Sequence, residues 1–304
     1  MAEAELSIVI LNYNTGDLLA RCLDSIAAQA AAAETIVVDN ASPDGSAELV
    51  RRRFPWARLA ALPDNRGFAH GMNHGLGLAQ TPLLLALNAD TALLPDTLPP
   101  LLEAAERWPQ GGLFGPAQYA PAAAQPPAPG PALASAFADP TLAREAGRLL
   151  LFSDAWQARL RRGPWAPPAG VPRAVDWLMG AALLIRRACL TTVGGFDTAQ
   201  FMYGEDWDLC YRARRAGWQV VWVPAARILH TGNAAGEKTF GPGRQLRVMQ
   251  ANLHFHEKHF GRASRRVLAG LYGLNAAVRM LLTPRRAAYR DLAAAAWRAA
   301  LARE

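Results

Sequence analysis

From Leu6 to Asp90 short apolar runs alternate with stretches of helical period, and few architectures accept that rhythm. SIVILNY is followed by a helical pattern from Gly16 to about Ala30, ETIVVDN by one beginning near Ser42, and ARLAALP by one over Gly67 to Ala79. Strands that alternate with helices form a parallel sheet covered on its faces, so the chain reads as α/β. TPLLLALNAD is apolar over most of its length, which predicts a central strand buried on both sides. Ligands of open α/β sheets bind at the C-terminal ends of the strands, and Asn12, Asp39, Asn40, Asn88 and Asp90 all stand at such ends.

Further along, the pattern is interrupted. Between about Ala120 and Arg173 the composition shifts to PAAAQPPAPGPALASA and then to an Arg- and Trp-containing stretch with no sheet period. It reads as an insertion, a disordered Pro/Ala linker in the simpler account, placed where a lid would also fit. AVDWLMGAALLIRRACL then predicts a buried strand leading into a helix, and WQVVWVP a further strand, followed by the short segment AARIL. The expected organisation is one α/β domain over residues 1–240, with the insertion at about 120–173, and a basic helical extension over 241–304.

The 304 residues, 51% of them hydrophobic, suffice for a proper core. Lys and Arg outnumber Asp and Glu by 32 to 25, and the predominance of Arg points to a phosphate-bearing partner: a nucleotide, a nucleic acid or an anionic membrane. No nucleic-acid motif accompanies that charge, so no nucleic acid is expected. Cys22, Cys189 and Cys210 form no CxxC pair and sit in apolar helical patterns, as reduced core residues of a cytosolic protein do. The opening MAEAELSIVILNYN lacks the basic region and cleavage site of a secretory signal. The apolar run Trp177 to Ile185 falls short of the roughly 18–20 residues a spanning helix needs. The expected location is the cytoplasm, with peripheral contact on the inner face of the cell membrane as an extension of it.

FMYGEDWDLCYRARRAGW, Phe201 to Trp218, gathers Glu205, Asp206 and Asp208 at the head of a helix that turns basic and ends at Gly217. Acidic residues in a first turn are favoured by the helix dipole, so capping explains part of the cluster. Asp208 also suits an ion pair with Arg212 one turn on. In Asn88-Ala89-Asp90 the period of two puts both polar side chains on one side of a strand end. A carboxylate and an amide there suit Mg2+ or Mn2+ when a diphosphate supplies the remaining ligands, while a strand-ending turn is the simpler account. Asp39-Asn40 has the same placement one strand earlier, where it accepts hydrogen bonds from a nucleobase or ribose, or merely starts the SPDGS turn. His254, His256 and His259 with Glu257 lack the H-E-x-x-H register and read as a solvated helix face.

The succession VILNYN, VVDNASPDGS, NRGFAHGMNHG, LNAD, GGFD, GEDWDLCYRARRAGW and the late His of ILHTG resembles the family 2 glycosyltransferases, especially bacterial enzymes similar to dTDP-rhamnosyltransferases. The likeness spans about Leu6 to Gly232 and omits the Pro/Ala insertion and the C-terminal part. It implies a GT-A fold, a Rossmann-like mixed sheet flanked by helices, here with a helical C-terminal extension. It implies an inverting transfer from a nucleotide sugar, dTDP-L-rhamnose first and a UDP-sugar as the alternative, to a cell-surface glycan or a lipid-linked precursor. Under the resemblance Asp39 lies near base and ribose, and Asp90 is the metal-binding end of a DxD-like motif for Mg2+ or Mn2+. Asn88 stands where the first Asp would be, which removes a charge and should weaken the metal. Asn12 and Asn40 join the donor set, and Asn65, Arg66, Gly67 and Asn73 resemble the donor-side loop and helix. There Arg66 would pair with diphosphate and Gly67 open a helix N-terminus to an anion, whereas Phe68 and Met72 read as core.

In the same resemblance the second member of the Glu205-Asp206 pair is the base, with Glu205 orienting the acceptor or the base itself. His230 stands where related enzymes place a His that contacts metal or diphosphate, and Trp177, Met179 and Gly180 shape the acceptor face. RRVLAGLYGLNAAVRMLLTPRR aligns Val267, Leu271, Leu274, Val278 and Leu281 on one helical stripe with Arg pairs at both ends. Such a helix suits an anionic membrane interface, or docking on the catalytic domain. A non-catalytic nucleotide-sugar or glycan-binding module of the same fold is the rival reading. The paired carboxylates argue against it, since a binder needs no base.

Overall fold

Continuous apolar sequence carries β1 (Leu6–Asn12), β2 (Glu34–Asp39) and β4 (Leu83–Asn88) through the middle of a mixed sheet, buried on both faces. The computed structural model describes residues 5–29, 33–122, 129–150, 170–232, 243–282 and 286–301. Further strands are β3 (Arg58–Ala61), β5 (Thr91–Leu93), β6 (Gly111–Pro121), β7 (Pro129–Leu133), β9 (Arg173–Ala174), β11 (Ala182–Arg186) and β12 (Gln219–His230). Among the described residues the sheet has ten strands, in the order β3-β2-β1-β4-β11-β6-β12-β5, with β7 paired to β6 and β9 to β12. β8 (Ala136–Phe137) and β10 (Trp177–Leu178) form a separate two-stranded ladder.

Alternate side chains of β1 feed opposite faces. Ile8 and Ile10 pack with Val37, Leu85 and Leu87 under α1 (Gly16–Ala27), α2 (Ser46–Arg53) and α4 (Leu98–Arg107). Val9 and Leu11 pack with Ile36, Val38, Leu84 and Ala86 under α3 (Phe68–Leu78), and α6 (Arg187–Val193) and α7 (Glu205–Arg215) join that layer. Met72 is fully buried there, and Phe68 meets Phe196 edge to face. The three cysteines are buried, and burial pushes the thiols of Cys22 and Cys189 up to about 12.

A parallel sheet is correct only as far as β4. β11 enters antiparallel to both β4 and β6, so the sheet is mixed. α2 starts at Ser46 rather than Ser42 because Asp44 accepts from the N–H groups of Gly16 and Ser46 and turns the intervening SPDGS back on α1. The stretch read as a structureless insertion supplies β7, β8 and α5 (Leu142–Leu150), while its residues 123–128 and 151–169 lie outside the described ones. β12 runs on through Pro224, which sits in an irregularity where Val223 to Arg227 spans a single step of β6, Pro116 to Ala117.

Two compact units divide the chain: Met1–Phe137, Trp165–Phe201 and Glu205–Ala235 hold the sheet, and Ala138–Pro164, Met202–Gly204 and Gly236–Glu304 form the second. In the second unit α8 (Arg244–Leu282), broken at Gly261, packs with α5 and α9 (Arg286–Leu301) around Leu149, Met249, Leu268, Tyr272 and Ala296. A buried polar cluster fastens α5: Arg148 pairs with Glu145 and donates to the Tyr272 hydroxyl, and Asn252 donates to Glu145. His256 is not solvated; it is fully buried between Ser264 Oγ and the Pro140 carbonyl, because α5 and its approach cover that face of the helix. Leu268, Ala269, Tyr272 and Ala276 point inward, and Val267, Leu274 and Leu281 are consequently exposed at 53%, 45% and 81%. Among the described residues no helix is long and apolar enough to cross a membrane.

Candidate active site

Parallel pairing aligns the ends of β1 and β2, Asn12 opposite Asp39. Asn12 donates to Asp39 Oδ1 at 3.0 Å and to Ser42 Oγ at 3.1 Å, and accepts from Thr15 Oγ1 at 2.7 Å. The Ser42 N–H donates to the second Asp39 oxygen. Each of these side chains is therefore held by its neighbours. Asn40 donates to Asn65 Oδ1 and the Gly67 carbonyl, and among the described residues its own Oδ1 is buried with no hydrogen-bond partner.

Gly67 caps α3 at φ +95, a conformation that side chains resist, and a Cβ there would lie 2.4 Å from the Phe201 carbonyl oxygen. Arg66 is exposed beside it. Asn73 uses both ends of its amide on the backbone of Phe196, 2.8 Å to the carbonyl and 2.9 Å from the N–H, so it fixes the loop after α6.

Asp90 sits in the turn between β4 and β5. The Thr231 N–H donates to its carbonyl, Thr91 Oγ1 donates to the Asn88 carbonyl, and β12 runs antiparallel to β5 with His230 opposite Thr91. These contacts bring His230 Nε2 to 3.5 Å from Asp90 Oδ1, both side chains only 9% exposed. Among the described residues His230 Nε2 and Asn88 Oδ1 are buried with no hydrogen-bond partner. Buried polar atoms are ordinarily satisfied, so an imidazole nitrogen left open beside a carboxylate fits a divalent cation, with the open amide oxygen of Asn88 two residues before Asp90 in the chain. No group of three or more His, Cys, Asp or Glu gathers among the described residues, so such a cation would need ligands from a bound diphosphate.

The acidic head of α7 divides by role. Asp208 is buried and pairs with Arg212 Nε at 2.7 Å, and Arg212 donates onward to the carbonyls of Val193 and Gly195. That carboxylate is structural. Asp206 turns the other way: its Oδ2 accepts from the Gly180 N–H at 2.9 Å and its Oδ1 from the Trp207 N–H. A Cβ at Gly180 would stand 3.0 Å from Asp206 Cβ, so no side chain fits without displacing the carboxylate. Burial raises the Asp206 pKa, and the two N–H groups oppose it. Glu205, half-buried, opens the helix beside it. Trp177 stacks on Phe137 at 4.1 Å and meets Trp207 edge to face at 5.6 Å, an aromatic group adjoining Asp206.

The Asn88 N–H donates to the Ala181 carbonyl, which ties the Asp90 turn to the strand that begins next to Gly180. Sequence reasoning missed Gln118, whose amide touches His230 and the Met179 carbonyl. It missed Thr15 and Ser42 as well. The spacing of Ser42 from Asp39 was the available signal for an Asx-type turn; Gln118 offers none, lying in the Gly- and Pro-rich GGLFGPAQYAP.

Residues 4–251 match the family described as Glycosyltransferase like family 2. The chain is 33% identical over 243 residues to an N-acetylglucosaminyl-diphospho-decaprenol L-rhamnosyltransferase of Mycobacterium tuberculosis, covering 74% of this chain and 75% of that protein. A shorter match, 45% identical over 56 residues, covers 18% of this chain and 21% of rhamnosyltransferase WbbL of Escherichia coli. Among solved structures, S. aureus TarS 1-349 in complex with UDP-GlcNAc gives a TM-score of 0.60 at 14% identity, covering 97% of this chain and 81% of that one. The mannosyltransferase PcManGT from Pyrobaculum calidifontis, in complex with GDP-Man and Mn2+, gives 0.55 at 17% identity over 98% and 86%. These likenesses show the fold, which is GT-A.

Proposed function

The chain belongs to the family Glycosyltransferase like family 2 and is a glycosyltransferase, and from that premise we propose an inverting transfer of L-rhamnose from dTDP-L-rhamnose to a lipid-linked glycan precursor. The observation that carries the reading is Asp206, a carboxyl with a raised pKa held by the Gly180 N–H at the head of α7. A carboxylate whose pKa lies above the ordinary range is a stronger base. Asp206 takes the proton of the acceptor hydroxyl as its oxygen attacks the anomeric carbon. The bond from that carbon to the diphosphate breaks, and the electron pair leaves with the nucleotide. Mg2+ or Mn2+, when bound, neutralises the departing diphosphate. Asp90 and His230 would hold the cation, with Asn88 as a weaker third ligand. Asp39 and Asn40 face base and ribose and Arg66 receives phosphate, while the N–H groups of Gly67 and Phe68 are taken by Asn65 Oδ1 and the Phe201 carbonyl and so are not open to an anion. Asn12 and Asn65 hold Asp39 and Asn40 in place, and Asn73 fixes the loop after α6. Glu205 orients the acceptor.

A lipid-linked acceptor also gives meaning to the exposed stripe of α8, which lies beside the exposed Arg262 and Arg266. That face suits an anionic leaflet, at the cytoplasmic surface of the cell membrane. One assay tests both parts: transfer from dTDP-L-rhamnose, UDP-sugars and GDP-mannose to a polyprenyl-diphosphate-linked N-acetylglucosamine, presented in anionic or in neutral vesicles. Transfer from dTDP-L-rhamnose, faster on the anionic vesicles, is expected. Transfer from another donor alone would overturn the rhamnose assignment, and equal rates on both vesicles would remove the membrane role.

A further inference from the structure

Gln118 lies on β6, only 1% exposed, between two groups that the proposed reaction uses. Its amide oxygen is 3.1 Å from His230 Nδ1, and its amide nitrogen donates to the Met179 carbonyl at 3.4 Å. A carbonyl oxygen only accepts, so the amide must turn its NH2 towards Met179 and its oxygen towards the imidazole. An oxygen facing Nδ1 calls for a proton on that nitrogen. In a neutral ring Nε2 then carries a lone pair, and Nε2 is the atom 3.5 Å from Asp90 Oδ1 with no hydrogen-bond partner among the described residues.

The contact at the other end of the amide is to a peptide unit with two duties. The Met179 carbonyl takes the Gln118 NH2, while the N–H of the same peptide, that of Gly180, donates to Asp206. In a trans peptide these two groups point in opposite directions. The Met179 N–H is itself fixed on the Ser135 carbonyl, so the unit cannot turn freely. An unbroken series of contacts thus runs from Asp90 through His230, Gln118 and the 179–180 peptide to Asp206.

We propose that Gln118 is a positioning residue that holds His230 as the Nδ1–H tautomer, leaving Nε2 open to the cation, and registers that ligand against the peptide that seats Asp206. This rests on the reading of His230 as a cation contact. Groups that hold a metal-ligating histidine by its other ring nitrogen typically change metal affinity by about 10–100-fold when lost. Gln118→Met keeps the length of the side chain and removes both hydrogen bonds. Gln118→Glu keeps an acceptor for Nδ1–H and sets an oxygen against the Met179 carbonyl.

The decisive readout is the 15N NMR signature of the His230 ring in the metal-free protein, assigned by its loss in His230→Gln. Nδ1–H is expected in the wild-type protein and in Gln118→Glu, and a mixture of tautomers in Gln118→Met. Calorimetric Mn2+ affinity should fall about tenfold in Gln118→Met, with a higher donor KM; Gln118→Glu should lower kcat more than it raises KM. A wild-type ring protonated on Nε2 overturns the proposal without any variant being needed. So does an unchanged tautomer and unchanged Mn2+ affinity in Gln118→Met. If His230→Gln leaves Mn2+ binding intact, the cation reading of His230 fails, and the metal-free spectrum still judges the tautomer by itself.

Discussion

The two ends of the sheet's working edge are built on different terms. At β1 and β2 four polar side chains satisfy one another: Asn12, Thr15, Asp39 and Ser42 close into a network in which each is held, and beside them the Oδ1 of Asn40 is without a hydrogen-bond partner among the described residues. At β4, β11 and β12 the chain leaves groups open or disfavoured: Asn88 Oδ1 and His230 Nε2 lack hydrogen-bond partners among the described residues, and Asp206 is a carboxyl whose charge burial resists. A closed network confers shape, whereas an open one keeps reactive atoms available at a cost in stability. Under the proposed function the contrast separates residues that would build the site from residues that would do its chemistry.

The largest effect should come from the open end. Asp206→Asn removes the proposed base and should lower kcat by about 10²–10⁴-fold, measured as sugar transfer under saturating donor. Stability should move the other way. The raised pKa means that, at pH values between the unfolded and the folded pKa, the folded chain keeps a proton which the unfolded chain has already released. The associated stability is fully present below the unfolded pKa and is lost as pH rises through the folded one, so Asp206→Asn should unfold at equal or higher denaturant near neutral pH. The wild-type rate should also fall, as pH decreases, before an ordinary carboxylate would protonate. Full activity in the variant would place Asp206 with the structural groups and dissolve the distinction.

A mutation at the closed end should show the reverse signature. Asn12→Ala deprives buried Asp39 of one donor and Thr15 of its acceptor, and should cost about 1–3 kcal/mol in denaturant unfolding. Turnover per folded molecule should change far less than in Asp206→Asn. An unchanged unfolding midpoint would show that the network carries no stability.

The same division decided what could be read from the sequence. β1, β2 and β4 were legible because two buried faces make a strand uniformly apolar, and α1 to α3 because they keep their period; β3, half-exposed at the sheet's edge, was legible only as the short apolar run between two helices. β6 was not, since glycines and prolines mask a strand whose position is set by β11 and β12 on either side. Candidate site residues on strand ends were visible as lone polar groups after apolar runs, Asp39 and Asp90 above all. Within the acidic head of α7 the spacing of one turn marked Arg212 as the partner of Asp208, and that pair forms, whereas Gly180, which meets Asp206 from 26 residues away, is not marked as its partner by anything in the sequence. His256 was misread because what buries it is α5, more than a hundred residues earlier in the chain, as its 116-residue separation from Pro140 shows.

A smaller change tests how the open end is balanced. Asn88→Asp replaces an amide oxygen that has no hydrogen-bond partner among the described residues with a carboxylate, next to a second carboxylate two residues on. Like charges in one site repel, so the metal-free variant should be less stable than the parent. With Mn2+ present the added charge becomes a ligand, and the affinity should rise by about tenfold, close to 1.4 kcal/mol. The two shifts have opposite signs in one protein, which a merely structural Asn88 would not produce: an amide used for packing would lose stability on substitution whether or not the cation is there. Calorimetric titration with Mn2+, paired with unfolding in its presence and absence, reads both. If the variant is destabilised equally in the two conditions and binds Mn2+ no more tightly, the Asn88 oxygen belongs to the turn, and the cation site reduces to Asp90 and His230.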